Sequence, residues 1–313
     1  MRQSCNGIHL AFFVVLAVLH AMEQNSITNA QQVIPTKSDI VYAERDQEPQ
    51  LLDLYLPQGQ TGPAPLVVWV HGGAWRAGSK ARVPITPLLE RGLAIASVDY
   101  RLSGVAPFPA QAHDINDAID YLYRHADELG LDPKRFAIAG SSAGGHLAAL
   151  VGVSHGVAAL SAPTPQELAT NSKLPKRTSP EPKTPQLKAI VSFFGASNLQ
   201  TILQQSTPHG LSVRIPALQL LLRGQPDQNP KLAQLASPVS HVDSNDPPLL
   251  LLHGDQDPQM PINQSHELEG AYRKASCPVQ FDVVHGGAHG GKKFFTETQL
   301  NRVAEFINAS FAN

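Results

Sequence analysis

Gly140-Ser141-Ser142-Ala143-Gly144 centres Ser142 in a Gly-x-Ser-x-Gly frame. A serine hydroxyl becomes a useful nucleophile when a tight turn lifts its oxygen clear of the backbone and a nearby base takes its proton. Flanking glycines permit such a turn. A helix opening just behind the serine adds partial positive charge beneath it. Ser141 precedes the central position and is the wrong serine. The competing reading is an ordinary Gly/Ser loop at a helix start. The apolar run 136–139 before the motif and the small-residue helical stretch 142–151 after it speak for the nucleophile.

A nucleophile that attacks a carbonyl needs N–H donors aimed at the oxygen that gains charge. His71-Gly72-Gly73-Ala74-Trp75 follows another apolar run, and its small residues let the backbone come close. Gly73 and Ala74 are the expected donors from this loop, with Gly72 as their neighbour. The N–H of Ala143, the residue after the nucleophile, is the third. His71 reads as a ring that holds the loop by hydrogen bonding. Trp75 fits either a pocket wall or a packed core aromatic.

The proton relay requires an acid and a base from later strand ends, in the order serine, acid, histidine. Asp255 and Asp257 both qualify in His253-Gly254-Asp255-Gln256-Asp257-Pro258, the alternative for one of them being a turn cap. His285 and His289 both qualify in His285-Gly286-Gly287-Ala288-His289-Gly290. A metal site is the rival for the two histidines. Flanking glycines argue against a rigid helix presenting both rings, and no cysteine or acid cluster joins them. No metal and no cofactor is implied.

These motifs need a scaffold of strands. Apolar runs at 66–70, 93–98, 136–139, 189–194, 249–252 and 279–284 are bounded by Gly and Pro, the pattern of strands buried on both faces of a mainly parallel sheet. Short antiparallel strands at 40–42 and 51–55 precede them. Helical spacing marks 112–129, 142–151, 264–275 and 297–311, with Asp114 expected as an early acid near the positive end of the first. Alternation of strand and helix indicates an α/β class with helices on both faces. Residues 154–187 are rich in Pro, Ser, Thr and Lys and read as a flexible insertion. Residues 199–236 are partly helical and amphipathic, and two readings stand equal: a small cap over the site, or another surface helix.

The chain has 313 residues, 42% of them hydrophobic, enough for one substantial core. Its formal charge of −2 and lack of a Lys/Arg stripe argue against nucleic-acid binding. Arg2, the apolar stretch 8–21 and small residues at 28 and 30 predict a signal peptide over 1–30, cleaved near Ala30, and a secreted or periplasmic protein. The apolar stretch is shorter than the roughly 20 residues of a spanning helix, so no stable membrane insertion is expected after cleavage. A single catalytic domain over 31–313 would follow. Cys5 would leave with the leader and Cys277 would remain alone, without a disulfide or an activating context.

The chain resembles the α/β-hydrolase esterases related to hormone-sensitive lipase, and especially the bacterial feruloyl-esterase-like (BD-FAE) branch, from about Val41 to Ile307. The matching residues include 53–57 (Asp-Leu-Tyr-Leu-Pro), 71–80 (His-Gly-Gly-Ala-Trp-Arg-Ala-Gly-Ser-Lys), 98–103 (Val-Asp-Tyr-Arg-Leu-Ser) and 140–146 (Gly-Ser-Ser-Ala-Gly-Gly-His). They also include Pro247-Pro248, 253–257 and 287–290. The resemblance implies an α/β-hydrolase fold with a mostly parallel eight-stranded sheet. It also implies Asp257 as the acid and His289, not His285, as the base. Asp99 and Arg101 fall in a structural motif of the family. Ala74 stands where lipase-like relatives carry a third glycine, Asn198 stands where Asp is common, and the 154–187 insertion is long. The implied activity is a serine carboxylesterase acting on small-molecule or polysaccharide-linked esters, short acyl or plant acetyl and feruloyl esters among them. The rivals are a peptidase resembling the prolyl oligopeptidase catalytic domain and a non-catalytic binding protein on the same scaffold.

Overall fold

The computed structural model describes residues 33–45, 47–161 and 186–312. Among them are the strands β1 (Lys37–Arg45), β2 (Glu48–Tyr55), β3 (Ala64–Val70), β4 (Ala94–Val98), β5 (Leu131–Ser141), β6 (Ala189–Phe193), β7 (Leu249–Gly254) and β8 (Val279–Val284). They join in one 8-stranded sheet in the order β1-β2-β4-β3-β5-β6-β7-β8. β1 and β2, and β2 and β4, pair antiparallel, and every later pairing is parallel.

The continuous apolar runs form the middle of this sheet because side chains on both faces are buried. Leu66, Val68 and Val70 of β3 join one apolar layer with Ile115 and Ile119 of α1 (Ala110–Arg124) and Leu147 and Leu150 of α2 (Ala143–Val153). Val67 and Trp69, the alternate residues, join the opposite layer, where Leu300, Val303 and Ile307 of α5 (Glu297–Phe311) pack. A strand between two helical layers needs no polar face. Between β6 and β7 lie α3 (Pro208–Leu221) and shorter helical pieces at Ile202–Gln205 and Pro230–Leu235. α4 (Asn263–Lys274) joins β7 to β8.

The α/β sheet expected from the sequence is the sheet that forms. Its elements differ from expectation where polar residues hide regularity. β5 begins at Leu131, before the apolar run, because Leu131 pairs with Ala64 across a register shift. The helix expected over 112–129 breaks at His125, whose backbone is non-helical, and resumes only as Ala126–Leu129. Asp114 does not serve the helix end. It is fully buried and takes the Arg101 guanidinium through Nε and Nη2, together with the Arg101 backbone N–H. Asp99 accepts the backbone N–H of Lys80 at 2.6 Å. Both residues of that motif therefore brace loops.

The signal segment expected over 1–30, and most of the 154–187 insertion, lie outside the described residues. Cys277 is buried, and its thiol donates to the Asp243 carbonyl oxygen at 2.9 Å. Among the described residues no helix is long and apolar enough to cross a membrane.

Candidate active site

The parallel strands all end on the same edge of the sheet, so the loops after β3, β5, β6, β7 and β8 converge there. The turn after β5 is sharp: Ser142 sits at φ 55, ψ −118, a region a non-glycine residue occupies only under constraint. The constraint is tight packing. Gly144 lies so close to β3 that a Cβ there would stand 2.0 Å from the Val70 carbonyl oxygen. The Ser142 N–H donates to the Phe193 carbonyl at 2.9 Å, tying the turn to the end of β6. α2 then runs away from Ser142 as a helix buried on every side, its first-turn N–H groups facing the serine end.

The loops after β7 and β8 are bound to each other: the Gln256 N–H donates to the Gly287 carbonyl at 2.9 Å. That contact brings Asp257 and His289 together. His289 Nδ1 donates to Asp257 Oδ2 at 2.7 Å, and Ser142 Oγ lies 2.8 Å from His289 Nε2. A carboxylate only accepts, so Nδ1 carries the ring proton. Nε2 is then left with a lone pair facing the serine hydroxyl, the tautomer a general base requires.

The Asp257 side chain is fully buried. Burial alone would raise its pKa, but hydrogen bonds from His253 and His289, the charge of His289 and the Met260 N–H outweigh it and hold the carboxyl well below the usual range. Its second oxygen takes the N–H groups of Gln259 and Met260, each at 2.8 Å. Phe194, at φ 40 after β6, sets its ring edge-on to His289 with centroids 4.9 Å apart. Sequence reading passed over Phe194 and these backbone donors. A backbone donor leaves no mark in residue type, and Phe194 reads as the last residue of an apolar strand.

The 71–78 loop lies against the serine turn. A Cβ on Gly72 would stand 2.8 Å from the Ser141 carbonyl oxygen and 3.3 Å from Ser142 Cβ. Among the described residues no acceptor takes the N–H of Gly73 or Ala74. The N–H of Ala143, first in α2, has no intrahelical partner by its position. His71 closes the loop on itself: Nδ1 donates to the Gly72 carbonyl at 2.7 Å, and the ring stacks on Tyr100 at 4.4 Å. Trp75 is buried in the core, which decides between its two readings.

The remaining candidates go elsewhere. His285 bonds Asp255 at 2.9 Å on the surface, a different partner from that of His289. Among the described residues no three His, Cys, Asp or Glu side chains converge as a metal-ligand set. Asn198 donates to Glu267 at 2.6 Å in a polar cluster under the 199–236 segment. That segment touches the acid loop: Thr207 Oγ1 donates to the Pro258 carbonyl, and Arg214 of α3 donates to the Gln259 carbonyl.

The BD-FAE family model matches residues 52–272. Esterase LipC of Mycobacterium tuberculosis is 30% identical over 250 residues, 78% of this chain and 58% of that protein. Isoprenylcysteine alpha-carbonyl methylesterase ICME of Arabidopsis thaliana is 28% identical over 258 residues, 81% of this chain and 56% of that protein. The chain thus spans under two thirds of the length of these relatives. Among solved structures, a truncated carbohydrate esterase from gut microbiota superposes with a TM-score of 0.76 at 30% identity, covering 91% of this chain and 99% of that one. A bifunctional GH43-CE protein of Bacteroides eggerthii gives 0.74 at 29% identity, covering 88% of this chain and 35% of that one.

Proposed function

The chain belongs to the BD-FAE family, and from that premise we propose that it is a serine carboxylesterase acting through an acyl-enzyme on esterified carbohydrate. The observation that carries this reading is the unbroken bonded chain Ser142–His289–Asp257, at 2.8 and 2.7 Å.

Ser142 Oγ attacks the ester carbonyl carbon as His289 Nε2 takes the hydroxyl proton. Asp257 keeps the imidazole in register and stabilises the imidazolium. The carbonyl oxygen becomes an oxyanion held by the N–H groups of Gly73, Ala74 and Ala143, each such donor worth about 10²–10³ in rate. Collapse of the intermediate breaks the bond to the alcohol, whose oxygen takes the proton from His289. Water then attacks the acyl-enzyme by the same route in reverse, returning Ser142 and a carboxylic acid.

Support for the carbohydrate side is the likeness to a carbohydrate esterase over 99% of that protein's truncated form. An export signal over 1–30 fits the same reading, since esterified plant polysaccharide lies outside the cell. Mass spectrometry of the protein recovered from the medium or periplasm, starting near residue 31, supports export; full-length protein in the cytosol overturns it.

The decisive test compares wild type and S142A on acetylated xylan, methyl ferulate, p-nitrophenyl acetate and a peptide amide, alongside fluorophosphonate labelling. We expect ester turnover and labelling in the wild type only, with a rate loss of about 10⁴-fold or more in S142A. Near-normal esterase activity in a folded S142A protein overturns the nucleophile. Cleavage of the amide in preference to the esters overturns the substrate class.

A further inference from the structure

His146 lies one helical turn beyond Ser142, is fully buried, and has no place in the proton relay. Its backbone N–H donates to the Ser142 carbonyl at 3.0 Å. Its ring bridges two other parts of the chain. Trp75 Nε1 donates to His146 Nδ1 at 3.1 Å, and His146 Nε2 stands 2.7 Å from the Ala236 carbonyl oxygen. An indole nitrogen only donates, so Nδ1 must be the unprotonated acceptor. A carbonyl only accepts, so Nε2 must carry the proton. Both bonds form together only in one tautomer of the neutral ring. Burial pulls the His146 pKa down to about 4, so near neutral pH the ring has the charge state that both partners need.

The loop at the other end of this bridge is strained. Ala74 and Trp75 are consecutive non-glycine residues in left-handed conformation, at φ 52 and φ 59. Each costs about 1–2 kcal/mol and persists only where its surroundings hold it. The backbone supplies several anchors: the Ser103 N–H donates to the Trp75 carbonyl at 2.8 Å, and the N–H groups of Arg76 and Ala77 donate to the Gly73 carbonyl at 3.1 and 3.0 Å. The Trp75 side chain supplies a further one. Its indole packs edge-on to His146 with centroids 5.2 Å apart, and its buried N–H has His146 as its acceptor.

We propose that His146 is a positioning residue for the oxyanion loop: through Trp75 it fixes the aim of the Gly73 and Ala74 N–H groups, and through Ala236 it ties that aim to the segment between β6 and β7. The proposal rests on the serine-esterase reading above. It makes one side chain of the nucleophile helix set the geometry between nucleophile and oxyanion donors, two groups that a single transition state must satisfy.

The test uses the two amides that each copy one end of the ring. In H146N the side-chain oxygen lies near the place of Nδ1 and can accept from Trp75. In H146Q the amide reaches toward Ala236 and leaves the indole N–H unpaired. With p-nitrophenyl acetate we expect H146Q to lose about tenfold to a hundredfold in kcat with KM within about twofold. H146N should stay within about threefold of wild type. W75F, which keeps an aromatic ring but removes the N–H together with part of the indole, should lose at least as much as H146Q, and W75F/H146Q should lose little more than W75F alone. The inhibition constant of a trifluoromethyl ketone, which forms the tetrahedral adduct, should rise in step with the loss of kcat.

Wild-type kcat in H146Q or in W75F, a loss confined to KM, or losses that multiply in the double variant each overturn the proposal. Thermal melts establish that each variant is folded, and if H146Q does not fold, W75F decides alone. S142A in the same assay separates the two claims. An active S142A sinks the serine reading, whereas an inactive S142A with a fully active W75F sinks only the role of His146.

Discussion

Two histidine–aspartate pairs span the same two loops, and only one of them reaches Ser142. Asp257 and His289 are 2.7 Å apart, and Asp255 and His285 are 2.9 Å apart. Residue types, spacing and bond length barely separate them. Surroundings do: the Asp257 side chain is 0% exposed and that of His289 14%, against 32% and 86% for Asp255 and His285. Asp257 is further held by two backbone N–H groups and lies 3.4 Å from His253 Nε2. Asp255 has its own N–H donor, from Gly286 at 2.7 Å. Its carboxyl also titrates below the usual range, held down first by the His285 hydrogen bond and then by the Gly286 N–H. A lowered carboxyl pKa is therefore common to both pairs. Full burial of the carboxylate and a histidine turned toward the serine belong to one.

Removing each base gives the largest expected contrast between the two pairs. H289Q should lose about 10⁴-fold or more in kcat/KM on p-nitrophenyl acetate, since the proton has no other acceptor. H285Q should stay within about twofold of wild type. Equal losses in the two variants would erase the distinction, and a larger loss in H285Q would reverse it.

Removing each acid should give a smaller contrast. D257N is expected to lose about 10³–10⁴-fold in kcat, because an amide in place of the carboxylate favours the wrong histidine tautomer, while D255N stays near wild type. Stability adds a second readout. The folded pKa of Asp257 lies below its unfolded value of about 3.9. Its ionised form therefore stabilises the fold above that pH, and the contribution is lost as pH falls through the unfolded value toward the folded one. Thermal melts from pH 7 to pH 3 should show the gap between wild type and D257N widest near neutrality and narrowing below about pH 4. A gap that widens on acidification contradicts the sign.

The sequence carried the identity of these pairs but not the choice between them. Asp255 and Asp257 both follow an apolar strand, as His285 and His289 both do, so strand-end position leaves four combinations. Likeness to a family narrowed them. The structure supplies the physical difference through contacts between loops distant in sequence: His289 Nε2 lies 2.8 Å from Ser142 Oγ, whereas His285 pairs with Asp255 at the surface. The central strands were legible for the opposite reason. β3, β4, β6 and β7 are buried on both faces, so apolar residues run without interruption and the pattern is local. β5 shows the limit. Its first half carries Asp132, Pro133, Lys134 and Arg135, which fall in the register shift between the Ala64–Leu131 and Leu66–Phe136 pairs and interrupt the apolar pattern. Trp75 was ambiguous because its partner, His146, is remote in the chain.

The smallest contrast concerns what holds each loop from outside. Arg214 of α3 donates to the Gln259 carbonyl and, through Nε, to Ser206 Oγ at 3.1 Å, clamping the loop that supplies the N–H donors to Asp257. Burial pulls its pKa down to about 10 while the nearby charge of Asp257 opposes that, so it remains a cation at neutral pH. Lys293 plays the matching part for the open pair, donating to the carbonyls of His285 and Gly286 at 3.2 and 2.9 Å. A buried cation cannot be replaced by water as an exposed one can. R214M should therefore lose about 2–4 kcal/mol of stability and roughly threefold to tenfold in kcat, measured below its melting range. R214K, which keeps the charge but gives up the fork, should fall between R214M and wild type. K293M should leave both quantities within error. If K293M proves as costly as R214M, solvent access is not what separates the two pairs, and the orientation of the histidine alone must carry the distinction.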